Sequence, residues 1–234
     1  MNKKSSRVSV LNFIGFVAVL MFVFISLSCK SVQKVPNGQS AEQSADPDFL
    51  GDFDPIRLEN VMALRSVFGK VKPTEIRLYF VPRTNIVEAH LRDGMNAVVL
   101  MFTAEQRRTL AQGIELYGNA YAEYAGGNRA AMPERKPNRK SSFNRGELSI
   151  AWGVIGLART AETEFRTNYE YLEKGKPYFM LTAESADSSE DSSIQSPRVD
   201  LYFSPAQLQT LLEVTEQASL QKQVDILNEK AFAF

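Results

Sequence analysis

One short pattern occurs twice in this chain, 101 positions apart, and it dictates where strands turn into helices. Val98-Val99-Leu100-Met101-Phe102-Thr103-Ala104-Glu105-Gln106 aligns with Val199-Asp200-Leu201-Tyr202-Phe203-Ser204-Pro205-Ala206-Gln207, and six positions between 98 and 111 are identical with their partners. Each copy ends an apolar run at Thr or Ser with Gln three positions on. That is the capping-box spacing, in which a hydroxyl and an amide satisfy backbone donors that a helix start leaves unpaired. The hydrophobic period therefore changes from two to 3.6 with almost no loop. Leu110, Ile114, Tyr117 and Tyr121 form the apolar stripe of the first predicted helix, which Gly126-Gly127 closes. Leu208, Leu211, Leu212 and Thr215 form that of the second, where Pro205 sits at the first helical position and its missing amide hydrogen costs nothing.

Upstream of the first copy, Ile76, Leu78 and Phe80 share one face of a predicted strand that Pro82 ends. Val87, Ala89 and Leu91 alternate before the turn signal Asp93-Gly94, and Met95 to Phe102 resumes as a strand. Upstream of the second copy lie Leu148 to Val154, Phe165 to Leu172 and Pro177 to Thr182, the last two joined by the turn Glu173-Lys174-Gly175-Lys176. Before all of these, Asp54 and Pro55 read as a helix start, with Leu58, Val61, Leu64 and Phe68 on one face and Gly69 as the stop. The expected fold is α+β: two tandem antiparallel β-meander-plus-helix units packed as one compact body, each helix folding back on its own sheet. The first unit spans 51–127, a basic linker 128–146, and the second unit 147–234 with a C-terminal helix. Val224, Leu227, Ala231 and Phe234 give that last segment helical spacing and an apolar face for docking.

The first 50 residues belong to a different kind of chain. Lys3, Lys4 and Arg7 precede an almost wholly apolar stretch from Val8 to Leu27, a charged region followed by a hydrophobic one. Directly behind it comes Ser26-Leu27-Ser28-Cys29-Lys30, which places the only cysteine of the chain at the end of the leader. The segment resembles a bacterial lipoprotein signal peptide. Ser28 supplies the small residue before the cysteine, while Ser26 stands where that family usually has Leu, a loose box of the kind found in spirochaetal lipoproteins. The resemblance covers about thirty residues. It implies a signal peptide at 1–28, acylation of Cys29 and a flexible tether over 29–50, rich in Ser, Gln, Pro and Asp. A retained anchor and ordinary secretion are the other readings, the first because the twenty residues from Val8 to Leu27 would make a helix of about 30 Å. Cleavage before Cys29 removes three bases and no acid, so the net charge falls from zero to −3.

The paired meander-and-helix pattern resembles in topology the tandem repeats of Pur-type and whirly-type proteins, which bind single-stranded nucleic acid. That function is not expected here, because the body is exported, acidic once processed, and without basic and aromatic residues interleaved along its strands.

Chemistry-bearing motifs are sparse. There is no G-x-S-x-G, H-E-x-x-H or Gly-rich phosphate loop, and the single histidine, His90, shares the polar face of a strand with Glu88 and Arg92. Glu162 and Glu164 share a strand face with Arg166 and read as cross-strand salt-bridge partners. No catalytic, cofactor or metal set is read from the sequence. A basic run from Arg129 to Arg145 and an acidic one from Glu184 to Ser193 read as solvated loops. The surplus is aromatic: Trp152, Tyr169, Tyr171, Tyr178, Tyr117 and Tyr121 are the candidate binding surface, since Tyr and Trp combine contact area with a polar tip. The expectation is a non-enzymatic binding or interaction module of the cell envelope, held to the outer membrane through its N-terminal lipid. Its ligand would be an envelope protein, a lipid or a glycan. An envelope hydrolase acting on glycans and a structural component of an envelope assembly are the other readings.

Overall fold

The computed structural model describes residues 48–67, 69–93, 96–134, 142–154, 157–172 and 175–232. The leader, Cys29 and most of the tether lie outside the described residues, as do residues 135–141 of the basic segment. The elements are, in order, β1 (Ile56–Arg57), β2 (Val61–Val67), β3 (Lys70–Val81), β4 (Ile86–Asp93), β5 (Asn96–Phe102) and α1 (Ala104–Ala125). There follow a 3₁₀ turn (Arg129–Ala131), β6 (Asn144–Val154), β7 (Leu157–Leu172), β8 (Lys176–Ala183), β9 (Val199–Phe203), α2 (Pro205–Thr215) and α3 (Gln217–Phe232).

From β2 to β9 each strand pairs antiparallel with the next in the chain. The ring then closes where β9 meets β2, Leu64 opposite Tyr202 and Arg65 opposite Leu201. The result is an eight-stranded closed barrel, with β1 continuing the β2 side of β3 through Ile56 opposite Phe80. Strand alternation puts one apolar set inside: Val61 and Ala63, Ile76 to Phe80, Val87 to Leu91, Val98 to Phe102, Leu148 and Ile150, Phe165, Phe179 and Leu181, and Val199 to Phe203 supply buried residues to one continuous core. The outward positions carry charge, among them Arg77, Glu88, His90, Glu162 and Glu164, the reverse of the apolar outer band of a membrane barrel. No described helix is long and apolar enough to cross a membrane.

This architecture corrects the expectation of two tandem meander-plus-helix units. The strands of both halves form one closed sheet, and the helices do not fold back on their own halves: α1 packs chiefly against β6 and β7, while α2 packs against β2 as well as β9. The helix expected from Asp54 to Gly69 is instead β1 and β2. Its helical spacing was fortuitous, because the inward positions of β2 are Val61, Ala63 and Arg65, while the outward Met62 and Leu64 are themselves apolar. A buried arginine in the inward set broke the period-two pattern. Arg65 is held there by donating from Nη1 to the Arg92 carbonyl at 3.0 Å.

Both capping boxes are formed: Thr103 and Gln106 start α1, and Ser204 and Gln207 start α2. Along α1 the buried residues are Arg107, Leu110, Gly113, Ile114 and Tyr117. Gly113 marks a close approach of helix to barrel, since a Cβ there would collide with Thr167 Oγ1 and lie 3.0 Å from its Cγ2. Thr167 is fully buried on β7 and its hydroxyl receives the Asn144 amide at 3.0 Å, so it has nowhere to move. In α3, Leu220 and Val224 are buried in the same core, Val224 beside Gly51.

Two glycines of one helix therefore respond oppositely to alanine. Gly113→Ala should lower stability by about 1–3 kcal/mol through overpacking. Gly118→Ala, where a Cβ meets nothing within 4 Å, should raise it by about 0.5–1 kcal/mol through helix propensity. Urea unfolding followed by circular dichroism measures both, and equal effects would contradict the close approach of α1 to β7.

Candidate functional site

The six aromatic residues singled out from the sequence do not form one surface. Tyr117 is 1% exposed: its hydroxyl donates to the Pro177 carbonyl at 3.0 Å, and its ring meets Phe143 and Phe179 edge-on. Tyr169 and Tyr171 donate to the carbonyls of Pro133 and Met132 at 2.9 and 2.8 Å, pinning the segment after α1 onto β7. Tyr121 joins this cluster, half-buried, between Tyr117 and Tyr124. Burial raises the Tyr117 and Tyr171 hydroxyls above the ordinary phenol value, which keeps both as donors at neutral pH. Trp152 lies elsewhere, buried on β6 opposite Val98 and Arg159. Tyr178 is on the opposite face of β8 from Phe179 and sits beside Glu170. The cluster of Tyr117, Tyr121, Tyr169 and Tyr171 is thus a seam joining α1 to the barrel, with three of its hydroxyls committed to backbone carbonyls.

The other polar features are also committed. His90 Nε2 lies 2.8 Å from Glu88 Oε2, and its ring meets Tyr79 edge-on. Arg166 reaches Glu184, just past the end of β8, at 2.5 Å, and Glu162 accepts across strands from the Ser149 hydroxyl of β6. Arg198 joins Glu184 to Asp200, closing a network on the outer face. In the acidic loop, Ser188 and Thr160 bond Glu190, and Ser193 bonds Asp191, which holds both carboxyls below their usual range. Among the described residues no group of three or more His, Cys, Asp or Glu is placed to hold a metal ion. Within the basic segment, Arg129 lies over the Tyr124 ring at 4.6 Å.

What sequence reasoning missed is a cleft of about 730 Å³ between α1 and α2. Ala104, Arg107, Arg108 and Ala111 line one wall, and Gln209, Leu212, Glu213 and Glu216 the other, each set at the spacing of one helical face. Arg107 is its floor. The residue is 7% exposed, and its guanidinium donates to the Asn85 carbonyl at 2.7 Å, the Phe102 carbonyl at 3.1 Å, Asn85 Oδ1 at 2.9 Å and Gln217 Oε1 at 2.6 Å. These acceptors come from the β3–β4 turn, the end of β5 and the start of α3, so one side chain ties three segments together. Asn85 has φ 50°, a left-handed conformation that asparagine tolerates. Burial pushes the Arg107 pKa down to about 10, with Asp48 opposing the shift, and the group remains a cation at neutral pH. Its Nε is buried without an acceptor. Extending the α1 stripe of Leu110, Ile114 and Tyr117 back by three residues lands on Arg107, and a cation on an apolar stripe is the signal that could have found it.

Arg107→Met should lower stability by about 1–3 kcal/mol, because it leaves the Asn85 and Phe102 carbonyls buried without a donor. Tyr117→Phe, which orphans the single carbonyl of Pro177, should cost about 1 kcal/mol. Chemical denaturation midpoints test both. An Arg107→Met protein as stable as the parent would show that the guanidinium clamp contributes nothing.

Comparison with known proteins places the chain. One relative, an "Uncharacterized protein" of Treponema pallidum (strain Nichols), is 21% identical over 185 residues, 78% of this chain and 64% of the relative. The chain therefore matches less than two thirds of that protein's length. No solved structure matches it. A family model described as "Uncharacterised Treponema protein" matches residues 55–222, which take in the barrel from β1 to β9, α1, α2 and the first turn of α3. By that match the chain belongs to this Treponema family.

Proposed function

We propose that the protein is a lipid-anchored envelope module, held to the outer membrane through Cys29, that binds its ligand in the cleft between α1 and α2 rather than turning it over. The position of Cys29 carries the anchoring: it is the one thiol in the sequence and stands directly behind a charged and then apolar leader. Two or more acyl chains, at about 0.8 kcal/mol per buried CH₂, hold a protein stably at a bilayer. The body of the molecule then needs no membrane-binding face of its own, in keeping with the charged outer positions of the barrel.

The cleft supports the binding role. It is of the size small-molecule sites occupy, and its walls are rigid helices fixed by two capping boxes and the Arg107 clamp. The aromatic cluster supplies that rigidity from the other side of α1.

Metabolic labelling with palmitate should mark the wild-type protein and leave Cys29→Ser unlabelled; equal labelling of both would refute the anchor. Separately, Ala111→Trp should fill the cleft. Mass spectrometry of protein purified from native membranes should then find a small molecule on the wild type that the variant lacks, and identical profiles would refute the cleft as the site.

A further inference from the structure

The charges lining the cleft are sorted by wall. Both cations, Arg107 and Arg108, belong to α1, while of the acids Glu213 belongs to α2 and Glu216 caps its C-terminus, with Asp48 also in the lining and the small or apolar Ala104, Ala111 and Leu212 between. Opposite charges on facing helices ordinarily close into pairs, yet among the described residues no ion pair joins the two walls. Glu213 instead accepts from Gln209 on its own helix, and Arg107 donates to the neutral Asn85, Phe102 and Gln217. Arg107 is more than nine-tenths buried, and its Nε–H has no acceptor. The arrangement is a pair of oppositely charged walls held open above Arg107.

An anion alone would meet the acids of α2, and a cation alone the arginines of α1. A zwitterion longer than the gap satisfies both walls. The volume of about 730 Å³ is too large for one amino acid and suits a ligand of several residues. Resting on the reading of the cleft as the binding site, we infer that its ligand is a short peptide with both termini free. Its carboxylate lies against the exposed Arg108, with Arg107 held below on Asn85, Phe102 and Gln217, its ammonium lies against Glu213 and Glu216, and its side chains cover Ala104, Ala111 and Leu212. Guanidinium suits the carboxylate end, since its planar fork matches two carboxylate oxygens.

The test is affinity selection by the full chain in detergent from a mixed-sequence tetrapeptide pool that contains free, N-acetylated and C-amidated members in equal amounts, read by mass spectrometry. Free-termini members should be enriched at least tenfold over either blocked set. In Arg108→Ala, an exposed position that does not threaten the fold, the preference over amidated members should disappear while that over acetylated members persists. Retention of no peptide, or equal retention of all three sets, would overturn the inference. So would an Arg108→Ala protein that loses both preferences together. If no peptide is retained while Ala111→Trp still strips a different small molecule, the cleft remains the site and only the ligand class falls.

Discussion

Two residue pairs, Leu64 with Tyr202 and Arg65 with Leu201, turn a curled sheet into a barrel, and the rest of the molecule depends on that seam. Without it β2 and β9 would each present a row of unpaired backbone groups to solvent, and the inward faces would open to water. With it, the strands before α1 and those after share one core, so neither half has an apolar interior of its own. Side chains brace the seam on both faces. Inside, Arg65 donates to the Arg92 carbonyl; outside, the Tyr202 hydroxyl donates to Glu170 at 3.0 Å. Burial and the Glu170 charge both raise the Tyr202 pKa, which keeps that phenol a donor.

Closure also decides where the helices go. A helix leaving β5 cannot cover only its own half once the strands curve into a ring, so α1 reaches β6 and β7, where Gly113 lets it approach. From the other end of the chain, α2 bridges β9 and β2 and so covers the seam. The two helices meet over the barrel, and the faces they turn away from it become the walls of the cleft. Arg107 belongs to both parts: it lines the cleft and also borders the apolar space inside the barrel along with Leu110, Leu211 and Thr215.

The parts of this structure legible from sequence are those written in local chemistry. A hydroxyl and an amide three residues apart start a helix wherever they stand, so the junctions at Thr103 and Ser204 could be read without knowing the fold. Strands with a clean alternation, such as Ile76, Leu78 and Phe80, were equally plain. β2 was hidden because Arg65 occupies an inward position and Met62 and Leu64 outward ones, a reversal that rests on tertiary partners such as the Arg92 carbonyl. Barrel closure had no signature at all, since two pairings between residues far apart in the chain leave no mark on either neighbourhood. The aromatic residues misled for a related reason. Their composition suggests a binding surface, but the carbonyls of Pro133, Met132 and Pro177, which take up three of their hydroxyls, are set by tertiary structure.

The cleft was invisible for the same cause, being made of two helical faces that meet only in three dimensions, and so the proposed binding role depends on the ring being closed. Nuclear Overhauser spectroscopy on the labelled protein measures closure directly. Cross-strand contacts between the backbone protons of Arg65 and Leu201, and of Leu64 and Tyr202, should appear with intensity comparable to those between β8 and β9. Their absence, with the contacts of β2 to β3 and of β8 to β9 intact, would mean an open sheet and would contradict the account.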